Sequence, residues 1–393
     1  MPTPDGRRRT EMMNVLMTTD NVGGVWTYAM ELCAALARHQ VRVHLASMGT
    51  ALSPAQRRDA AALENVTIHE SAFKLEWMDD PWDDVDRAGR WLLAIEREVG
   101  PDVVHVNGYA HAALGFSAPV LAVGHSCVLS WWSAVRGENA PDTWNTYRRR
   151  VREGLERADV VVSPTRAMLR ALERYYGPFR DGRIVPNGRG AGLFAPSGKE
   201  PFVFAAGRVW DEAKNIATLE RVAPELDWPV IVAGEARHPD TNRAAALRHL
   251  QLVGNLDQPT LASWLGRASI YALPARYEPF GLSILEAALS GCALVLGDIE
   301  SLRENWSDAA IFVPPDEPLA IARAIRSLIE NDALRTGLAG RARQRARDFA
   351  PEAMAHGYLD IYRRLAPTSQ PLEAGVARGL SGSLKENYDA PEG

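Results

Sequence analysis

The sequence predicts an α/β protein made of two doubly wound, parallel-sheet domains facing each other across a cleft. Two observations carry this. Short apolar runs alternate with stretches whose apolar residues recur at helical spacing, the βαβ rhythm of a sheet covered on both faces. The alternation stops once, at a Gly/Ala/Pro-rich stretch over 190–198, and then restarts.

The first strand is read over 13–18, a helix over 29–38 and a second strand over 41–46. Further strands are read at 102–106, 120–123, 160–163 and 184–185, with helical patterns between most of them. Past the break, strands are read at 202–206, 230–233, 251–253, 270–273, 293–296 and 311–313. The last helices run over 318–348 and 351–365. This divides the chain into a domain over 12–188, a hinge over 189–200, a second domain over 201–350, a final helix over 351–365 and a polar tail over 366–393.

Composition narrows the function. The 393 residues are 46% hydrophobic and 24% charged, as in an ordinary soluble protein, and at about 150 residues per domain they fill two to three domains. A net charge of -5 argues against a dedicated nucleic-acid binder. Cys33, Cys127 and Cys292 exclude a disulfide framework and any CxxC site. No apolar run is long enough to span a membrane. Arg7, Arg8 and Arg9 have no apolar stretch behind them, so no secretory signal is read and the cytoplasm is the expected compartment. Oligomeric state has no signature here.

Ligands of open parallel sheets sit at the carboxyl ends of the strands. The first strand runs into Gly23-Gly24 and a helix, where backbone can approach a ligand and the helix start attracts anions. The run Gly188-Arg189-Gly190-Ala191-Gly192 lacks the spacing of a dinucleotide fingerprint and reads as a hinge. In the second domain, Gly207-Arg208 and Lys214-Asn215 place two cations on one strand-end loop, which suits a diphosphate. The segment Arg276-Tyr277-Glu278-Pro279-Phe280-Gly281-Leu282 follows a strand and opens a helix that carries Glu286. Amides at that helix start bind phosphate or hold a sugar, and a carboxylate beside them accepts sugar hydroxyls.

The Glu278 and Glu286 pair resembles the E-x7-E motif of the retaining glycosyltransferases of the GT-B fold, family GT4. Other motifs agree in order. Gly23-Gly24 resembles the family's first glycine loop, and His105 and His125 its two histidine-bearing strand ends. Pro186-Asn187-Gly188 resembles the hinge, and Gly207-Arg208 with Lys214 the G-R…K-G pair, although Asn215 replaces the usual glycine. Arg303-Glu304 and Val313-Pro314-Pro315-Asp316 resemble its late loops, and the coverage runs over about 12–365.

The resemblance implies two Rossmann-like domains, with the nucleotide-sugar donor on the second and the acceptor on the first. It implies that Arg208 and Lys214 hold the diphosphate, that Glu278 with the Phe280, Gly281 and Leu282 amides holds the sugar or phosphate, and that Glu286 binds ribose. His125 would lie at the reaction centre, Gly23 and Gly24 would close on the phosphates, and the final helix would cross back to the first domain. It implies hexose transfer with no cofactor and no metal. UDP-hexose is the first expectation for the donor and GDP-mannose the second, with the acceptor open among glycan, lipid and small molecule.

Rival readings rest on other residues. Gly124-His125-Ser126 nearly matches a nucleophile elbow, which would make Ser126 the nucleophile of an α/β-hydrolase. A non-catalytic nucleotide-sugar-binding clamp is the other alternative. Asp84-Val85-Asp86 matches a DxD metal motif formally but reads as helix-start acids. His105 and His111 have no pairing that supports a metal. Arg148, Arg149, Arg150 and Arg152 form a basic face, solvated or in contact with an anionic membrane. Seven of the 11 tryptophans precede residue 150, which points to an acceptor site for a glycan or an aromatic alcohol on the first domain. Trp26, Trp131, Trp132 and His105 are its candidates, with core packing as the competing reading.

Overall fold

The computed structural model describes residues 12–237 and 247–366. The arginines at 7–9 and the polar tail from 367 onward lie outside the described residues. A seven-stranded sheet is built from β1 (Met13–Asp20), β2 (Val41–Met48), β3 (Val66–Glu70), β4 (Val103–Val106), β5 (Val120–Val123), β6 (Val160–Ser163) and β7 (Gly182–Ile184). Its order is β3-β2-β1-β4-β5-β6-β7, and every pairing is parallel. A six-stranded sheet follows, from β8 (Glu200–Ala206), β9 (Val230–Ala233), β10 (Gln251–Gly254), β11 (Ala268–Leu273), β12 (Ala293–Gly297) and β13 (Ala310–Val313). Its order is β10-β9-β8-β11-β12-β13, again all parallel.

Parallel strands are covered on both faces, so their inner residues form near-continuous apolar runs. In β1, Val15 and Met17 enter the core on one face and Leu16 the core on the other, the two-residue period of a pleated strand. β3 carries no such run because it is an edge: its residues are intermediate or exposed and none is buried, and its sequence offers no continuous apolar signal. The helix expected over 318–348 is two helices, Pro318–Glu330 and Asp332–Ala346. Asn331 separates them in extended backbone, and its side chain takes the Leu334 amide at 2.9 Å, which starts the second helix afresh.

The final helix, Pro351–Leu365, packs its Met354, Tyr358, Leu359 and Tyr362 into the core of the first sheet beside helix Gly24–Ala37. Large apolar side chains buried this way contribute about 1.5–3 kcal/mol each. The chain returns at Ala350–Pro351, against the outgoing hinge, where a β-carbon on Gly188 would stand 2.7 Å from the Pro351 Cα, so only glycine fits. No helix among the described residues is long and apolar enough to cross a membrane.

In each sheet the strand order reverses once, between β1 and β4 and between β8 and β11. Crevices open outside the carboxyl ends at such switch points. The loops after β1, β4, β5, β8 and β11 all line one cleft between the sheets.

Candidate active site

The cleft holds about 970 Å³. The two domains touch around it. Tyr277 Oη accepts the Cys127 amide at 3.0 Å, Trp131 Nε1 donates to Asp211 Oδ1 at 3.3 Å, and Thr165 Oγ1 donates to the Pro279 carbonyl at 3.0 Å.

On the second-domain side, Lys214 and Glu278 meet in an ion pair, each mostly shielded from solvent. Arg208 Nη2 pairs with Asp211 Oδ2 at 2.7 Å, and its guanidinium lies 5.2 Å from the Trp210 ring centroid. Gly281 has φ +91, a left-handed conformation that favours glycine, and it turns the chain into helix Leu282–Leu289. No side chain caps that helix, and Gly281, Leu282 and Ser283 line the cleft, so the helix start offers free amides to an anion. Phe280 is buried and edges onto Phe349, which holds the turn in place.

Glu286 lines the cleft one turn into the helix, where its Oε1 accepts from Arg189 Nε at 2.8 Å. Burial raises the Glu286 carboxyl above the usual range, and the Arg189 charge pulls it back. Arg189 is 5% exposed and also pairs with Glu31 of the first domain. A residue read only as hinge is thus the central ion of a buried triad that ties Glu286 to both domains.

On the first-domain side, Asp20 Oδ1 accepts the amides of Val22 and Gly23, each at 3.2 Å. Burial raises the Asp20 carboxyl, and Arg208 across the cleft lowers it. The Gly23 amide is therefore occupied by a side chain, which reduces the anion-binding capacity expected of the glycine loop. Gly24 opens its helix, and a β-carbon there would lie 3.4 Å from Leu282 of the other domain.

His125 stands at the end of β5 with Nε2 2.8 Å from Asn107 Oδ1. Asn107 Nδ2 donates to the Thr18 carbonyl at 2.7 Å, which fixes the amide so that Oδ1 faces the imidazole as an acceptor. His125 accordingly carries its proton on Nε2. Burial lowers its pKa to about 3, so the ring is neutral at physiological pH.

Two expected acceptor contacts are corrected by the structure. His105 is fully buried beneath the cleft, with Nδ1 2.6 Å from Tyr362 Oη and Nε2 3.2 Å from Asn107 Oδ1, and its pKa is lowered to about 3 by burial. It supports Asn107 and touches no ligand space. Trp26 packs into the core between the first sheet and the final helix, because its position on helix Gly24–Ala37 faces inward. Trp131 and Trp132 do line the cleft, with His125, Arg208, Lys214, Glu278, Gly23 and Gly24.

The sequence matches known families over most of its length. Residues 22–189 match the model of Glycosyltransferase Family 4, and residues 200–331 match the model of Glycosyl transferases group 1. The chain belongs to the GT4-like glycosyltransferases. It is 28% identical over 310 residues to a glycogen synthase of Mycobacterium tuberculosis, covering 70% of this chain and 72% of that one. It is 25% identical over 388 residues to a D-inositol 3-phosphate glycosyltransferase of Xylanimonas cellulosilytica, covering 88% and 92%. Among solved structures it resembles sucrose-phosphate synthase from Thermosynechococcus elongatus, with a TM-score of 0.77 at 20% identity over 91% of this chain and 100% of that one. It also resembles Anabaena HepE in complex with UDP and glucose, with a TM-score of 0.70 at 16% identity over 89% and 99%. These likenesses show the GT-B fold.

The rival motifs have structural explanations in this glycosyltransferase. Ser126 follows a histidine that turns away to Asn107, and no histidine bonds its hydroxyl among the described residues. Asp84, in the first turn of helix Trp82–Val99, takes the Lys74 amide at 2.9 Å, and Asp86 pairs with Arg150 at 2.6 Å, so both acids bind neighbouring segments. Among the described residues no group of three or more His, Cys, Asp or Glu side chains is placed to hold a metal. Arg149 pairs with Glu153 at 3.1 Å, and Arg150 lies 5.3 Å from the Trp82 ring centroid, which uses much of the basic face internally.

Proposed function

We propose that this glycosyltransferase moves a hexose from a nucleoside-diphosphate sugar to an acceptor hydroxyl, with retention at the anomeric carbon and without a metal. The observation that carries this reading is the convergence of Arg208, Lys214 and the uncapped helix start at Gly281 on one wall of the cleft, facing His125. Breaking the bond between the sugar carbon and the diphosphate oxygen leaves negative charge on the diphosphate. Two fixed cations and a set of oriented amides stabilise that charge without reorganising. They supply what a divalent cation supplies in other phosphate chemistry.

Retention follows from attack on the face the leaving group departs from. The acceptor oxygen bonds to the anomeric carbon, the carbon–oxygen bond to diphosphate breaks, and the acceptor proton passes to a phosphate oxygen. No protein nucleophile takes part. His125, neutral and oriented by Asn107, holds a sugar hydroxyl through hydrogen bonding and carries no charge into the step. In this reading Glu278 and Glu286 accept hydroxyls of the sugar and the ribose. A UDP-hexose is the leading donor, in keeping with the UDP and glucose seen in HepE, and GDP-mannose is the second. The cytoplasm, where nucleotide sugars are available, is the compartment that fits.

Thermal stabilisation against UDP, GDP, ADP and their sugars, with and without EDTA, tests this. Binding adds RT ln(1 + [L]/Kd) to stability. A rise in Tm with one base that survives EDTA is expected. No rise with any nucleotide at millimolar concentration would sink the donor reading.

A further inference from the structure

The first-domain half of the cleft carries a shelf that the donor reading leaves unused. It is formed by the loop ahead of helix Trp82–Val99, by the turn at Ala110 and by helix Val128–Arg136. Glu76 lies in it, with Oε2 accepting the amides of Ala110 at 2.8 Å and Tyr109 at 3.4 Å. Both bonds fall on Oε2, which leaves Oε1 for a ligand. Burial lifts the carboxyl to about 7, so at neutral pH about half of it is the carboxylate, and more above that. His111 offers a second acceptor. Its Nε2 is 2.9 Å from the Val85 carbonyl, and since a carbonyl only accepts, the proton sits on Nε2 and Nδ1 keeps its lone pair. Burial lowers its pKa, so the ring stays neutral. Trp77 and Trp132 add flat apolar faces to the same lining.

We infer that this shelf is the acceptor subsite and that it selects a neutral saccharide over a phosphorylated or otherwise anionic acceptor. The inference rests on the transferase reading above and adds the chemical class of the acceptor. Hydroxyl groups donate to Glu76 Oε1 and His111 Nδ1, while the C–H face of a sugar ring stacks on indole. An anion on the shelf would face Glu76, Asp79 and Asp20, all in the lining. Of the cations on this side, Lys74 turns its Nζ to the carbonyls of Asp79 at 2.9 Å and Asp80 at 3.5 Å, and Arg150, whose charge reaches Glu76 and His111, is paired with Asp86 at 2.6 Å. Arg208 and Lys214 belong to the opposite wall, where the donor diphosphate takes them up on the proposed reading. Charge placed this way disfavours the wrong ligand more than it strengthens the right one.

Calorimetric titration of the full chain, with and without saturating nucleotide diphosphate, tests the subsite directly. Glucose, maltose and cellobiose are compared with glucose 6-phosphate and inositol 1-phosphate. The neutral sugars are expected to bind at least tenfold more tightly than the phosphate esters. Glu76→Gln, which keeps the amide bonds, and Trp132→Ala are each expected to weaken the neutral sugar at least tenfold and to leave the nucleotide-induced rise in Tm unchanged. Tighter binding of a phosphate ester, binding of no saccharide, or unchanged sugar affinity in both variants would overturn the inference. The nucleotide shift, read on the same samples, scores the donor reading separately.

Discussion

Asn107 Oδ1 lies 2.8 Å from His125 Nε2, and that contact decides which imidazole nitrogen carries the proton. Asn107 in turn is held by the Thr18 carbonyl and by His105 beneath it. Replacing Asn107 by Ala frees the His125 ring and both of its tautomers. Misplacement of a group near the reacting centre by about 1 Å costs on the order of 10²-fold in rate. Asn107→Ala is therefore expected to lower kcat about 10²-fold with nucleotide affinity intact. Steady-state kinetics beside nucleotide titration check it, and an unchanged kcat would remove His125 from the reaction centre.

His105 gives the fold a pH dependence of known sign. An exposed histidine protonates near 6.5, whereas buried His105 does so near 3. Between those values the unfolded chain binds more protons. The contribution of His105 is thus full above about pH 6.5 and is lost as pH falls toward 3. His105→Gln removes this dependence. The stability gap between parent and variant is expected to narrow by about 1–3 kcal/mol from about pH 7 to about pH 4.5, read by urea denaturation. Other titrating groups, Glu76 and Asp20 among them, are common to both proteins. Parallel pH profiles would show that His105 titrates normally in the fold.

Lys214 and Glu278 separate catalysis from stability because they pair with each other. Lys214→Ala strands a carboxylate that is only 8% exposed, and breaking such a buried pair costs about 3–5 kcal/mol. Glu278→Gln removes the charge and keeps a hydrogen-bonding group. Both are expected to lower kcat/KM by at least about 10²-fold, the scale of one lost charge-stabilising contact. Lys214→Ala is expected to drop Tm more than Glu278→Gln, in which the Lys214 ammonium, 17% exposed, keeps an amide oxygen to donate to. Full activity in either variant would move the donor site elsewhere.

Much of this site was legible in the sequence because strand-end loops are read in order. Glu278, Gly281 and Glu286 fall on one strand-to-helix turn, and Arg208 and Lys214 on another, so local spacing alone brings each set together. Arg189 shows the opposite case. Its partners are Glu31 and Glu286, 158 and 97 residues away, and nothing in the hinge sequence marks it as buried. Asn107 escaped for a similar reason, since its meaning comes from His125 on the neighbouring strand end. Proximity to the glycine loop and the strand ends in sequence suggests an acceptor role for Trp26 and His105. The faces they occupy, inward on a helix and beneath the final helix, depend on where that helix docks. The edge strand β3 lacked a signal because one row of its residues meets solvent.

Glu304 holds the two domains together from a distance. It sits on helix Glu300–Trp306 of the second domain, yet its carboxylate accepts the amides of Arg166 at 2.8 Å and Ala167 at 3.1 Å, at the start of a first-domain helix. It thereby acts as part of the cap of helix Arg166–Tyr176, alongside Thr165, whose side chain takes the Met168 amide at 3.1 Å. Losing a helix cap costs about 0.5–2 kcal/mol. Here the bonds exist only while the domains are closed, so the loss falls on the closed arrangement and leaves each domain's own core untouched. Glu304→Ala is expected to raise the KM for the donor roughly threefold to tenfold and to increase the radius of gyration in small-angle scattering. Glu304→Gln, which keeps an acceptor oxygen, is expected to do less of both. If neither quantity moves in the alanine variant, the remaining contacts at Tyr277, Thr165 and Arg189 are sufficient to hold the cleft closed.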